Sequence, residues 1–465
     1  MRTALLLTFV TIACLQAADA VGFGNEESQP GHPLLRNIAG DVRPAELRAT
    51  INHLVGFGTR HTLSDTTSDT HGIGAARRWV KSRFDDVSAQ CGGCLDIQTP
   101  TQMVTGERIT TPAEIMDVLA IQKGTSDPDR YIVISGHLDS RVTDVMNATS
   151  DAPGADDDGS GAAAVLEAVR VLSKHKFPAT LVFAVLSGEE QGLFGGKLLA
   201  QYATEHHWQI EALLNNDIIG NTKGGSGTMD TSHVRVFSEG TRSNETPAEA
   251  DRRRYNGGEV DSPSRNLARF INGVCKRYLP GFGVRMVYRT DRFGRGGDQV
   301  PMLAAGFPAV RLTEGIENYT REHQDVRIEN GIQYGDLPQF IDYRYLAEVT
   351  RLNAVSMAAL AMAPAPPASV RIEGAVSPDT IVSWTAAPGA AGYNVWWRDT
   401  TAPEWTSSRP VANATTLTLK DVTIDDWFFG VSSLSPDGYA SPVEFPGAAG
   451  AFVPPAAPPA SLPAH

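Results

Sequence analysis

The feature that most restricts the fold is an alternation of short apolar runs with amphipathic helical patterns between residues 40 and 362. The apolar runs cover residues 118–121, 131–135, 181–186, 212–214 and 308–312. Such runs are typical of strands that are buried on both faces. Segments 159–175 (GSGAAAVLEAVRVLSKH) and 342–362 instead place their apolar residues at helical spacing. We therefore predict an α/β fold with a mostly parallel mixed sheet flanked by helices.

The length of 465 residues predicts more than one domain, and the composition changes at a proline-rich linker, residues 363–369 (APAPPAS). Residues 370–447 have the pattern of short strands joined by Pro/Gly turns, which predicts a small all-β sandwich. Trp384, Trp397 and the segment WFFGVSSLSPDGYASP resemble a fibronectin type III module. Residues 448–465 form a Pro/Ala tail that we predict to be disordered.

Residues 1–20 (MRTALLLTFVTIACLQAADA) have the pattern of a secretory signal peptide. One early arginine precedes a stretch of about ten apolar residues, and residues 18–20 (ADA) offer a small-x-small cleavage site. We therefore predict export, as a secreted or periplasmic protein, with an α/β domain over residues 21–362. A lipoprotein attached through Cys14 is the alternative. No other apolar run reaches the ~18 residues of a membrane helix, so no integral membrane segment is expected.

The net charge of −13 argues against nucleic acid and anionic membranes as main partners. Cys91 and Cys94 enclose two glycines, and no second pair of this kind exists to complete a four-sulfur zinc site. In an exported protein we expect a local Cys91–Cys94 disulfide, with Cys275 buried in a helix. The sequence does not indicate an oligomeric state.

Acidic and imidazole side chains follow the ends of the predicted strands. They are His137 and Asp139, Asp156 to Asp158, Glu189 and Glu190, Asp217, and His323. The carboxyl ends of parallel strands meet at one edge of a sheet, so these groups should converge there. Each has a structural explanation when taken alone, such as a helix cap or a solvated turn. Together they are the ligand types of a metal centre.

Carboxylates that pack together take up protons or repel one another unless cations compensate their charge. Two Zn²⁺ ions would balance three carboxylates and one hydroxide, and imidazole nitrogen suits zinc. The sequence therefore predicts two Zn²⁺ ions per chain.

Five segments, in this order and at this spacing, resemble the co-catalytic di-zinc aminopeptidases. They are His137-x-Asp139, GADDDGSG, Glu189-Glu190, Asp217 and His323. The family includes secreted bacterial leucyl aminopeptidases, glutamate carboxypeptidase and the glutaminyl cyclases. The resemblance covers residues 40–362 and implies the zinc exopeptidase fold.

The resemblance also implies a role for each residue. One zinc would be held by His137, Asp157 and Asp217, and the other by Asp157, Glu190 and His323. Asp157 is the bridging ligand because Asp-Gly-Ser-Gly follows it, as in the family motif. Asp139 would accept the other ring N–H of His137 and fix its tautomer. Glu189 would act as the general base that takes a proton from the attacking water.

The chain departs from the family at Glu322, where some members have a tyrosine that stabilises the oxyanion. Tyr319 or a residue of the loop RTDRFGRGGDQ (289–299) could replace that tyrosine. Asp298 matches a recurrent aspartate beside the site, with either a structural or a functional role. The polar residues 220–265 could form a loop over the entrance.

The predicted function is an exported zinc aminopeptidase that acts on peptides with a free N-terminus. A carboxypeptidase or dipeptidase of the same fold is the nearest alternative, and Arg292 or Arg295 would then bind the substrate carboxylate. A glutaminyl cyclase is disfavoured because those enzymes use one zinc. A binding protein built on an inactive peptidase scaffold is the alternative from another class. It is disfavoured because neither a ligand nor the base is missing.

Overall fold

The computed structural model describes residues 31–452. The predicted signal peptide and residues 453–465 of the predicted tail lie outside this range. None of the helices within it has both the length and the apolar character that crossing a membrane requires.

The centre of the α/β domain is an eight-stranded sheet. The strands of this domain are β1 (Asp96–Gln98), β2 (Thr101–Gly106), β3 (Ile109–Met116), β4 (Val118–Gln122), β5 (Asp127–His137), β6 (Ala179–Leu186), β7 (Gln209–Asn216), β8 (His233–Phe237), β9 (Gly283–Val287), β10 (Ala309–Glu314), β11 (Arg327–Glu329) and β12 (Ile332–Tyr334). The sheet has the order β1-β4-β6-β5-β7-β10-β8-β9, and β2–β3 and β11–β12 form separate hairpins. Strands β6, β5, β7 and β10 are mutually parallel, so their carboxyl ends share one edge.

Helices cover both faces of this sheet. The helices of this domain are α1 (Pro33–Asp41), α2 (Pro44–Val55), α3 (Gly72–Gln90), α4 (Gly159–Leu172), α5 (Phe194–Glu205), α6 (Pro247–Asn256), α7 (Pro263–Tyr278), α8 (Gln299–Ala304) and α9 (Tyr343–Met362). Because side chains alternate along a strand, Ile132 and Ile134 of β5 pack with α4 and α9, whereas Val133 packs with α5 and α8 on the opposite face. Every residue of β6 and β10 is buried, as expected between two helical layers.

The predicted fold class is confirmed. The five apolar runs lie in β4, β5, β6, β7 and β10, and the two helical patterns contain α4 and α9. The prediction of one loop over residues 220–265 was wrong, because this region contains β8 and α6. Helix α6 buries no residue, and the capping box of Thr246 and Glu249 stabilises its first turn. The Thr-x-x-Glu pattern in the sequence could have predicted the start of this helix.

The cysteine predictions are also confirmed. Cys91 and Cys94 form a disulfide just after α3. Cys275 is a free cysteine that is fully buried in α7.

The C-terminal module consists of small antiparallel sheets, as predicted. Its strands are β13 (Ala368–Glu373), β14 (Thr380–Thr385), β15 (Gly392–Asp399), β16 (Ser407–Ala412), β17 (Thr416–Leu419) and β18 (Trp427–Leu434). They form two three-stranded sheets, β13-β14-β17 and β16-β15-β18. Trp384 and Trp397 are 6% and 8% exposed and belong to the core of the module. Kinship with fibronectin type III modules stays a prediction.

The boundaries of the module differ from those drawn on composition. Strand β13 begins at Ala368, inside the predicted linker. Residues 448–450 form a 3₁₀ turn, and Phe452 is only 2% exposed. The prediction of disorder was therefore wrong for residues 448–452, because a Pro/Ala-rich composition does not reveal a single aromatic anchor.

The module packs against the α/β domain through buried polar contacts. Arg398 donates to both carboxylate oxygens of Asp261 at 2.8 Å. Arg269 donates to the same carboxylate at 2.7 Å. The side chains of Arg398 and Asp261 are both 0% exposed. The carbonyl oxygen of Pro403 accepts hydrogen bonds from Arg269 and Tyr288 of the α/β domain.

Glu444 makes the stability of this module sensitive to pH. The residue is 4% exposed, and burial raises the pKa of its carboxyl to about 8 from an ordinary value of 4.5. The contribution of this carboxyl to the stability of the folded protein is therefore complete below pH 4.5. It is lost as the pH rises through about 8. We expect Glu444→Gln to increase the free energy of unfolding at pH ~9 by on the order of 2–4 kcal/mol, and to have little effect at pH ~5.

Urea unfolding at the two pH values measures this difference. Glu373→Gln is the matched control, because Glu373 is an exposed residue of the same module. If Glu444→Gln increased the free energy of unfolding equally at both pH values, the raised pKa of Glu444 would be contradicted.

Candidate metal centre

The predicted ligands lie where strands end at the carboxyl edge of the sheet. His137 is the last residue of β5, and Glu190 and Asp217 follow β6 and β7. Asp157 lies just before α4, and His323 lies between β10 and β11. The parallel order of the inner strands therefore brings together five residues that are distant in sequence.

Two groups of ligand-type atoms share Asp157. His137 Nε2 lies 3.2 Å from Asp157 Oδ1 and 3.9 Å from Asp217 Oδ1. His323 Nε2 lies 2.8 Å from Asp157 Oδ2 and 3.1 Å from Glu190 Oε1. The two carboxylate oxygens of Asp157 thus face different histidines, as a bridging ligand requires.

The donor atoms of these groups fit two divalent metal ions. Over residues 31–452, His137 Nε2 and Glu190 Oε1 are buried and have no hydrogen-bond partner. Ligand atoms of His137, Asp157 and Asp217 lie within 4.8 Å of one another. Buried polar atoms without partners are costly, and imidazole nitrogen and carboxylate oxygen are zinc ligands. A metal ion in each group would satisfy these atoms.

Glu322 also belongs to the second group, which the sequence did not predict. One of its carboxylate oxygens lies within 4.8 Å of ligand atoms of Asp157 and His323. Glu322 Oε1 forms an ion pair with Arg295. Glu322 Oε2 is buried, and no residue of the described chain forms a hydrogen bond with it. The only signal in the sequence was its position next to His323.

Asp139 supports the site differently from the prediction. The ring nitrogen Nδ1 of His137 lies 3.0 Å from the backbone oxygen of Asp139, and 3.5 Å from its carboxylate. The backbone carbonyl is therefore the acceptor that fixes the tautomer. The carboxylate instead accepts three consecutive backbone N–H groups, those of Gly188, Glu189 and Glu190, at 2.9, 3.2 and 3.1 Å. Three amide donors and the hydroxyl of Thr62 occupy its oxygens, which explains why the histidine bonds elsewhere.

Two arginines, one buried and one half-buried, compensate two of the carboxylates. Arg311 of β10 is fully buried, and its Nη1 lies 2.7 Å from Asp217 Oδ2. Arg141 Nε lies 3.7 Å from Glu190 Oε2. Neither residue was predicted from the sequence. A charge inside the apolar run FPAVRL was the signal for Arg311.

Arg292 and Arg295 are already paired with acids. Arg292 Nη1 lies 3.6 Å from Glu317 Oε2 and 3.7 Å from Glu322 Oε1. Arg295 Nη1 lies 3.3 Å from the same oxygen of Glu317, and Arg295 also pairs with Glu322. Acidic side chains therefore balance the charge of both guanidinium groups, although Arg292 Nη1 is buried and forms no hydrogen bond within residues 31–452.

The acids of the site differ in their affinity for protons. Burial alone would raise the pKa of Asp157, but His323 and His137 hold that pKa well below its usual range. Burial, together with the charges of Asp217 and Glu190, raises the pKa of Glu189 well above its usual range. Asp157 is thus a carboxylate suited to a cation, and Glu189 is a group suited to receiving a proton.

The remaining predicted residues lie beside the site. Asp298 is 1% exposed, and its Oδ1 accepts the backbone N–H of Gly196 at 3.0 Å, which ties its loop to α5. Burial raises the pKa of Asp298 to about 7. Tyr319 is 67% exposed.

Residues 117–328 match the model of peptidase family M28. A probable zinc metalloprotease of Pyrenophora tritici-repentis is 41% identical over 424 residues, which cover 90% of this chain and 88% of that protein. A probable zinc metalloprotease of Pyricularia oryzae is 43% identical over 422 residues, which cover 89% of this chain and 84% of the relative.

Two solved structures from Legionella pneumophila share the fold. The LapA aminopeptidase has a TM-score of 0.50 and 18% identity, over 77% of this chain and 80% of the other. LapB has a TM-score of 0.50 and 19% identity, over 72% and 76% of the two chains. At these identities the likeness concerns the fold alone. The matched segment contains all five predicted ligands, and the more similar relatives align over nearly the whole chain. The chain therefore belongs to peptidase family M28.

Proposed function

We propose that this protein is a zinc-dependent aminopeptidase that removes N-terminal residues from peptides. The observation that carries the proposal is the convergence of two histidines and two further carboxylates around one shared aspartate, Asp157. The curated relatives are named zinc metalloproteases, and one structural neighbour is an aminopeptidase, which supports the same activity.

Two zinc ions would be held by residues that are already in place. His137, Asp157 and Asp217 would hold one ion, and Asp157, Glu190 and His323 would hold the other. When bound, zinc lowers the pKa of water to near 7 and polarises a peptide carbonyl. Arg311 and Arg141 help to keep Asp217 and Glu190 in position.

Glu189 is the proposed general base. Glu189 lies shortly after the end of β6 and immediately precedes the proposed ligand Glu190. The carboxylate of Asp139 accepts hydrogen bonds from the backbone N–H groups of both glutamates. Glu189 would take a proton from the attacking water and deliver it to the nitrogen of the leaving amine. The residue as a whole is half-buried.

The surroundings of the site support an aminopeptidase over a carboxypeptidase. A carboxypeptidase needs a cation that is free to bind the terminal carboxylate of its substrate. Glu317 and Glu322 balance the charges of the two candidates for that role, Arg292 and Arg295, although Arg292 Nη1 forms no hydrogen bond within residues 31–452. We also propose that the protein is exported, as the Cys91–Cys94 disulfide suits an oxidising compartment.

The activity is tested with leucyl p-nitroanilide and its N-acetylated form. We expect kcat/KM to be at least about 100-fold higher for the free amine, because acetylation removes a charge-assisted contact. A chelator should abolish hydrolysis, and added zinc should restore it. Equal cleavage of both forms would refute the aminopeptidase. A requirement for a free C-terminal carboxylate, measured with peptides and their C-terminal amides, would indicate the carboxypeptidase.

A further inference from the structure

We propose that Glu322 recognises the free N-terminus of the substrate. Its unpaired carboxylate oxygen would bind the α-ammonium group in a small acidic cavity beside the metal centre. This inference deepens the proposed function and rests on it.

The cavity adjoins the bridging aspartate. It has room for the centre of about one water-sized group, ≈ 10 Å³. Its lining includes five acidic residues and one basic residue, Arg321. The acidic residues are Asp156, Asp157, Glu314, Glu322 and Asp336. A cavity of this size and charge suits one compact cation.

Three of these acids are occupied by backbone and amide donors. Asp156 Oδ1 accepts the N–H of Gly220 at 2.7 Å. The carboxylate of Asp336 accepts the backbone N–H groups of Asp156 and Asp157 at 2.8–2.9 Å. Both oxygens of Glu314 accept hydrogen bonds from Asn221, at 2.7 and 2.9 Å. These carboxylates are committed to holding the surrounding loops.

Glu322 differs from these three acids. Its side chain is 6% exposed, and among residues 31–452 its Oε2 has no hydrogen-bond partner. Arg295 pairs with Oε1 and thereby fixes the orientation of the carboxylate, which leaves Oε2 available to a ligand. A buried acceptor without a donor is costly in the free enzyme. A ligand that donates to this oxygen therefore gains that energy on binding.

An α-ammonium group matches the cavity in charge, hydrogen bonding and size. It is a cation with donors only, and an ionised acceptor is its strongest partner. An acetylated amine is neutral and too bulky for a space of one water-sized group. Glu322 would therefore distinguish an N-terminus from an internal peptide bond. Since it lies within reach of Asp157 and His323, it would place the first peptide bond at the metal centre.

The test compares two hydroxamate inhibitors of the full-length zinc enzyme. Leucine hydroxamate carries the α-amine, and 4-methylpentanoyl hydroxamate lacks it. We expect wild-type protein to prefer the amino form, and Glu322→Gln to reduce the ratio of the two inhibition constants by about tenfold or more. Glu322→Asp keeps the charge and should retain part of the preference. Glu317→Gln is the matched control, because Glu317 pairs with the same two arginines and should leave the ratio unchanged.

The zinc content of each variant is measured alongside the inhibition constants. An undiminished preference in a metallated Glu322→Gln protein would overturn the inference and leave the aminopeptidase intact. Loss of zinc from Glu322→Gln would also overturn it, since Glu322 would then be a metal ligand. If the two hydroxamates have equal inhibition constants for the wild-type protein, the proposed aminopeptidase function is itself contradicted.

Discussion

Replacing Glu189 by Gln should lower kcat by about 10²–10⁴-fold and leave the bound zinc unchanged. The amide keeps the shape of the side chain but cannot accept the proton of the attacking water. Its backbone N–H would still donate to Asp139. The segment that carries Glu190 should therefore keep its position, and zinc binding should persist. Steady-state kinetics and elemental analysis of the same preparation measure the two quantities.

Glu190→Gln is the matched comparison for this result. Glu190 Oε1 lies 3.1 Å from His323 Nε2 within the second ligand group, so this neighbouring change should lower the zinc content. The two adjacent glutamates would thus separate catalysis from metal binding. A metallated Glu189→Gln protein with nearly full kcat would refute the assignment of the base.

The second large effect concerns stability and the interface between the two domains. Asp261→Asn should reduce the free energy of unfolding by about 3–5 kcal/mol, because it leaves the guanidinium of Arg398 buried without a counter-charge. Both side chains are 0% exposed, and both carboxylate oxygens accept from Arg398. Urea unfolding at neutral pH measures the loss.

A solvent-exposed ion pair across the same interface provides the control. Lys276 and Glu404 form an ion pair whose side chains are 52% and 38% exposed. Lys276→Met should therefore cost less than about 1 kcal/mol. If Asp261→Asn reduced the free energy of unfolding as little as Lys276→Met does, the buried pair would not hold the module in place.

The convergence of the candidate ligands could be predicted because most of them lie close to a strong local pattern. His137 and Asp217 end apolar runs, and Asp157 precedes a clear helix. Parallel strands then bring these residues to one edge without further information. The fold class followed from the same alternation of strands and helices.

The groups that surround the ligands could not be predicted in this way. Arg311 reaches Asp217 because β10 pairs with β7 in a register that sets Arg311 beside Asn215, and the sequence contains no record of that pairing. The contact between Asp261 and Arg398 joins two domains and depends on how they dock. The hydrogen bond of His137 to the backbone of Asp139 depends on competition among donors. Such contacts are properties of the assembled chain.

Asp139 joins the two inner strands β5 and β6 at their carboxyl ends. Its carbonyl orients the imidazole of His137, and its carboxylate secures the amides of Glu189 and Glu190. A displacement of either strand terminus would consequently be transmitted to the other. Glu189, Glu190 and His137, which we propose as the base and as one ligand of each zinc ion, should therefore move together and keep their mutual spacing.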